Sequence, residues 1–247
     1  MQPSHDADPA DDLDDPDRRA LMHGAACMAG AWAATGALPA VAGTARDFAP
    51  ALLVDERGDP FRAAALKPGE AWLFNYPFAA SPVFLLRLDR PVKPAELQTE
   101  DKTRYTTPAG VGPQSSIVAF SAICSHQLMY PTAAISFIGL RKGVGKEPAH
   151  VIHCCGDDSR YDPAAGARVL AGPAPQPLAA VPLAWDATAD TLRAQGVVGG
   201  DRFDAFFEKY AFRLEMERGG QARSRAAATT VVRPASRYSR QWQNCPA

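Results

Sequence analysis

The chain predicts an all-β, antiparallel fold, and two observations carry that expectation. Short apolar or alternating runs recur along it, namely Ala71-Trp-Leu-Phe-Asn-Tyr76, Val83-Phe-Leu-Leu-Arg-Leu88, Ser116-Ile-Val-Ala-Phe120, Ile135-Ser-Phe-Ile138, His150-Val-Ile-His-Cys154 and Ala179-Ala-Val-Pro-Leu-Ala-Trp185. Each is long enough for one strand and too short for a helix. The 22 prolines and 19 glycines fall between the runs as turn punctuation. A dinucleotide fingerprint, a phosphate loop and an internal repeat are all missing from the sequence, which removes the nucleotide-binding α/β classes.

The strands are expected in the order just given, with residues 142–148 a polar stretch between the fourth and fifth that suits a hairpin tip or a contact. One helix is expected after them. Between residues 201 and 216, Phe203, Phe206, Phe207 and Tyr210 recur at helical spacing, with Gly199-Gly200 before them and Gly219-Gly220 after. That aromatic stripe suits packing against the sheet; the alternative is an exposed docking face for a partner subunit.

At 247 residues, 47% hydrophobic and 21% charged, the chain can bury one sizeable core with appendages. The main domain is expected at 47–200, the amphipathic helix at 201–217, and a basic tail at 218–247. The formal charge of -1 conceals a polarity, since seven aspartates precede Arg18 while six arginines and no acid follow Glu217. Both ends, 1–17 and 218–247, are expected to be solvated and largely disordered; for the tail, docking on an acidic partner or anionic lipid is the alternative. Residues 18–45 begin with Arg18-Arg19 and continue without charge, rich in alanine and glycine. This pattern resembles a twin-arginine export signal, retained as a membrane anchor or cleaved near Ala40-Val-Ala42. A buried cytosolic helix is the competing reading.

The chemistry-bearing residues gather in the second half. Cys124-Ser-His126 is followed by His153-Cys154-Cys155, then Ser159-Arg-Tyr161-Asp162 with Gly166, then Gly172-Pro-Ala-Pro175. In this order they resemble the Rieske iron-sulfur family over residues 71–200. The resemblance implies an antiparallel Rieske-like β-sandwich holding a [2Fe-2S] cluster, with two thiolates on one iron and two imidazoles on the other. It further implies that Ser159 and Tyr161 donate hydroxyl bonds to a bridging sulfide and a ligand sulfur. Gly172 and Pro173 would open the proline loop that covers the cluster.

The second ligand loop departs from the family pattern, because aspartate stands where histidine is expected. A one-residue deletion in the loop makes Cys155 and Asp158 ligands beside Cys124 and His126, keeping a Cys-x-x-Asp spacing, and this register is preferred. The ungapped alternative uses Cys154 and Asp157. His153 is a further substitute for the missing imidazole. Met129 occupies the position where many quinol-oxidising members place one half of a loop disulfide, so that bridge is excluded. A carboxylate in place of imidazole adds negative charge and removes a proton site, which lowers the potential and disfavours direct quinol oxidation.

Of the five cysteines, Cys27 falls in the leader and Cys245 in the tail. A structural alternative joins Cys124 to Cys154 or Cys155 by a disulfide, which export permits. The expected function is an electron-transfer subunit of a membrane-associated respiratory or cytochrome-containing complex, a redox subunit rather than a stand-alone catalyst. Its partners would be other subunits and a c-type cytochrome or similar acceptor, with no nucleic acid, and its soluble domain would lie in the periplasm at the bacterial inner membrane. The alternative is a degenerate domain without a cluster, kept for structure or docking. A ring-hydroxylating oxygenase is excluded, since only His5, His23 and His150 lie outside the motif.

Overall fold

The computed structural model describes residues 44–245. The expected acidic segment 1–17 and leader 18–45 lie outside the described residues, apart from 44 and 45. Among the described residues no helix is long and apolar enough to cross a membrane.

Among the described residues, three four-stranded sheets and three two-stranded ones make up the fold, with helices short and few. The central sheet runs Arg233–Pro234, Ala71–Asn75, Pro82–Arg87, Ile117–Ser121. Its strands are apolar on both faces, and strand alternation divides them between two cores. Phe74, Val83, Leu85, Ile117 and Ala119 point one way, into a core shared with Ala51, Leu53, Leu183, Leu192 and Ala194. Leu73, Phe84, Leu86, Val118 and Phe120 point the other way, against Ile138, Ile152, Cys154 and Tyr161. The arrangement therefore has three layers rather than the two of a simple sandwich. One outer layer is the sheet Leu183–Asp186, Thr191–Ala194, Ala51–Val54, Thr229–Val231; the other is Arg168–Ala171, Ser159–Asp162, His150–Cys154, Ile138–Lys142.

Several strands are too short or too polar to stand out in the sequence. Glu96–Gln98 pairs with Arg104–Thr106, and Ala45–Arg46 with Val197–Val198. The run at 135–138 divides into Ile135–Ser136 and Ile138–Lys142. Lys142 faces His150 across the next hairpin, so the polar stretch 142–148 is its tip.

The aromatic stripe near the end forms two helices, α1 (Phe203–Lys209) and α2 (Ala211–Arg218), which break at Tyr210. Phe203, Phe206 and Phe207 are buried and make edge-to-face contacts with Phe78 and with one another. Tyr130 meets Phe206 and Tyr210 at centroid distances of 4.8 and 4.9 Å. The stripe is thus a packing surface, in the edge-to-face geometry that ring quadrupoles favour.

The basic tail is not the disordered segment its composition suggests. Thr229–Val231 adds a parallel strand beside Ala51–Val54, Arg233–Pro234 joins the edge of the central sheet, α3 (Ala235–Tyr238) follows, and Gln241–Trp242 pairs with Ile135–Ser136. Backbone groups on open sheet edges recruit this segment, and that pairing needs no apolar run. Val232 and Ser239 are buried while most of the arginines stay outside. A disulfide from Cys155 to Cys245 closes the arrangement across 90 residues of chain.

Cross-linking over so long a loop removes much conformational freedom from the unfolded chain. Cys245→Ser is expected to cost about 2–5 kcal/mol, read as a lower denaturant midpoint for the oxidised protein; equal midpoints would mean the bridge does not hold the tail.

Candidate metal site

The hairpin between His150–Cys154 and Ser159–Asp162 sets the geometry of the site. Cys154 faces Ser159 and Ile152 faces Tyr161, so Cys154, Ser159 and Tyr161 share the inward face, and all three are fully buried. His153 and Arg160 point the other way. The loop of residues 155–158 turns through Asp158 at φ 58°, the left-handed region that aspartate tolerates better than most side chains.

The first loop of the chain, which carries Cys124 and His126, follows the strand Ile117–Ser121. It closes on itself through Cys124 N–H to Met129 O (2.9 Å) and Leu128 N–H to Cys124 O (3.0 Å). The Lys209 ammonium donates to Gln127 O at 2.7 Å, tying the loop to α1.

Where the loops meet, ligand atoms of Cys124, Cys154 and Asp157 lie within 4.8 Å of one another. The Cys124 thiol donates to Asp157 Oδ2 at 3.1 Å, and His126 Nδ1 lies 3.0 Å from that same oxygen. The Ser159 amide donates to Asp157 Oδ1 at 3.0 Å. Asp157 is almost wholly buried, whereas the His126 ring is about a third exposed, at 36%.

The sequence-preferred register does not form this group. Cys155 is bonded to Cys245 and offers no thiolate. Asp158 is exposed and lies on the outer face, paired with His153 Nε2 at 2.6 Å and with Arg160 at 3.0 Å. A one-residue shift along a strand carries a side chain to the opposite face, so Cys154 and Asp157 stand where Cys155 and Asp158 were expected. His153 is committed outward for the same reason. Cys124 and Cys154 are free thiols, and no bridge joins the two loops. In place of a loop disulfide, a Cβ on Gly156 would strike Met129 Sδ.

Burial and crowding shape the charge states. The adjacent Cys154 sulfur, acting against burial, lowers the Cys124 pKa, and the Tyr161 hydroxyl and the His126 and Gln127 amides add to this. Cys154 is pushed well above its ordinary value, first by Cys124, then by burial and by Asp157. Two neighbouring thiols do not ionise independently. Burial raises the Asp157 carboxyl, but the Ser159 amide and the contacts from Cys124, Cys154 and His126 outweigh it and hold the group below the usual range. The Tyr161 phenol is raised by burial and then by the Cys124 sulfur, so it remains a donor.

Around the thiols sits a shell that the motif alone did not reveal in full. Tyr161 Oη lies 3.3 Å from Cys124 Sγ and 3.2 Å from Ser125 Oγ. Ser125 Oγ donates to Gln176 O at 2.7 Å, and the Gln176 side chain binds Gly200 O and the Glu100 amide. Ser125 and Gln176 were missed as site residues; their only sequence signal is position, inside Cys-x-His and inside the proline loop. Gly172, at φ 86°, lets that loop cross Ser159, since a Cβ would lie 2.6 Å from Ser159 Cα. Pro173 follows it in the same loop.

Ser159 Oγ is buried and has no hydrogen-bond partner. A lone buried hydroxyl is costly and calls for an acceptor. A bridging sulfide would supply one, and two thiols, an imidazole and a carboxylate form a donor set that suits iron. The residues therefore fit a [2Fe-2S] group.

Among solved structures, the soluble domain of the Rieske protein II (soxF) from Sulfolobus acidocaldarius is similar to 62% of this chain over 82% of its own length, at 24% identity and a TM-score of 0.43. No family model matches the chain.

Because Ser159 Oγ is buried without a partner, Ser159→Ala is expected to stabilise iron-depleted protein by about 1 kcal/mol, while Ser125→Ala costs about 1 kcal/mol. Urea denaturation of the apo protein checks both; a large loss for Ser159→Ala would mean the hydroxyl already has a partner.

Proposed function

We propose that the domain is a Rieske-type electron-transfer module in which Cys124, Cys154, His126 and Asp157 hold a [2Fe-2S] cluster. The observation that carries this reading is the convergence of two buried free thiols with a buried carboxylate and an exposed imidazole, beneath an unsatisfied serine hydroxyl. When bound, the cluster supplies reversible one-electron transfer. The chain's own residues set its conditions. Tyr161 donates toward the Cys124 sulfur, and Ser159 has a bond to give; donors to sulfur stabilise the reduced form. Asp157 acts in the opposite sense, since its charge favours the oxidised form. The proline loop keeps water from the buried side, and His126 is the exposed ring through which an electron would leave for a partner. Membership of a membrane-bound respiratory complex, a c-type cytochrome as acceptor and a periplasmic location belong to the same proposal, supported by the leader-like residues 18–45.

One observation favours a second reading. Asp157 receives bonds from Cys124, His126 and Ser159, a network that satisfies the carboxylate within the protein itself. A domain that has lost its cluster and serves for docking would look like this.

Iron and sulfide analysis with electron paramagnetic resonance of the reduced protein separates the two. The spectrum is expected in the wild type, lost in Cys124→Ser and Cys154→Ser, and retained in Cys155→Ser; a signal that requires Cys155 would reverse the ligand assignment. Asp157→His is expected to raise the midpoint potential by on the order of 200 mV, from the spread between all-cysteine and two-histidine centres. An unmoved potential would remove Asp157 from the iron.

A further inference from the structure

Away from the thiols, the tail and α2 enclose a cleft of about 500 Å³ whose walls carry Arg213, Arg218, Arg233, Arg237 and Arg240 together with Tyr130. This is the size of a small-molecule site. The tail is held to it by Ser239 Oγ donating to Thr132 O at 2.6 Å and by the Arg240 amide donating to Ala133 O at 3.0 Å. Five guanidinium groups from separate stretches of chain therefore converge on one concavity. Among the described residues, two carboxylates answer three of them. Glu217 pairs with Arg213, and Glu56 is shared by Arg233 and Arg237. Arg218 and Arg240 make no ion pair among the described residues. Clustered like charges destabilise a fold unless something neutralises them.

A second observation points to a ligand independently. Tyr130 is 7% exposed, and its hydroxyl is buried with no hydrogen-bond partner. Its ring is fixed between Phe206 and Tyr210 with Arg213 over its face. An orphaned donor among surplus guanidinium groups is suited to an acceptor that carries several oxygens. The guanidinium fork matches a phosphate in bidentate fashion, and a multiply charged oxyanion can engage several forks at once. Apolar side chains, Ala80, Pro131 and Leu214, also line the cleft and leave room for an uncharged portion of the ligand.

We infer that this cleft binds a phosphate-bearing anion, held by Arg218 and Arg240 with the Tyr130 hydroxyl as a further donor. The site is independent of the iron-sulfur reading and uses none of its residues. The phosphate can belong to a soluble ester or to an anionic lipid headgroup.

Calorimetric titration of the full chain with inorganic phosphate and with pyrophosphate tests the proposal. Saturable binding is expected, at least tenfold weaker in the Arg218→Ala/Arg240→Ala double variant and several-fold weaker in Tyr130→Phe, a change that leaves ring packing in place. Arg104→Ala, at an exposed side chain that does not line the cleft, serves as the control and should bind like wild type. Co-sedimentation with phosphatidylglycerol vesicles but not phosphatidylcholine vesicles, lost in the double variant, identifies a headgroup. Phosphate binding without sedimentation identifies a soluble ester. Absence of saturable binding to both anions, or equal affinity in wild type, the double variant and Tyr130→Phe, overturns the proposal.

Discussion

The pairing of Cys154 with Ser159 across one hairpin governs the candidate site. Because side chains alternate along a strand, that single register sends Cys154, Ser159 and Tyr161 inward as a set and sends His153, Arg160 and Asp158 outward as another. Every feature of the inner group follows. The thiol of Cys154 reaches Cys124, the phenol of Tyr161 reaches the same sulfur, and Asp157 fills the space between Cys124 and His126. A slip of one residue would exchange the two sets and leave a histidine, an arginine and an aspartate facing an apolar core.

That hairpin is held in register from both sides. Beneath it, Ile152 and Tyr161 pack into the core that the central sheet shares with the outer layer. At its end, Cys155 is tied to the tail through Cys245, and its amide donates to Phe137 O at 2.7 Å. The opposing loop is steadied differently, by Tyr130 against α1 and by Lys209 on Gln127. The aromatic helix is therefore part of how the first loop is presented and not a separate appendage. The tail plays the corresponding part for the second loop, and in reaching it builds the arginine-lined cleft.

The charges divide by location. Around the thiols they are few, buried and mutually bonded, which suits a centre whose potential depends on the net charge near the metal. In the cleft between α2 and the tail they are many, mostly positive, and only partly paired. The two regions meet through the segment 124–130, whose first residue is a thiol of the candidate site and whose last is the orphaned tyrosine of the cleft.

Much of this was legible in the sequence because it is local. The apolar runs at 71–76, 83–88 and 116–120 mark the central sheet, and the aromatic spacing of Phe203, Phe206 and Phe207 marks a buried helical face, since strand and helix periods are properties of short stretches. The order Cys-x-His, Cys, Ser-x-Tyr, Gly-Pro named the side chains of the site and their grouping in two loops. What the sequence could not decide was which of two adjacent cysteines and two adjacent aspartates turn inward: spacing favoured Cys155 and Asp158, and the structure brings Cys154 and Asp157 to Cys124. The facing of the hairpin decides that, and the inward face is chosen by packing against residues distant in the chain, Leu73, Phe84 and Val118 among them, with Cys245 capturing Cys155 across 90 residues. The same holds for the tail. Its composition reads as solvated chain, but open sheet edges, formed by residues far upstream, supply hydrogen bonds that no local pattern announces.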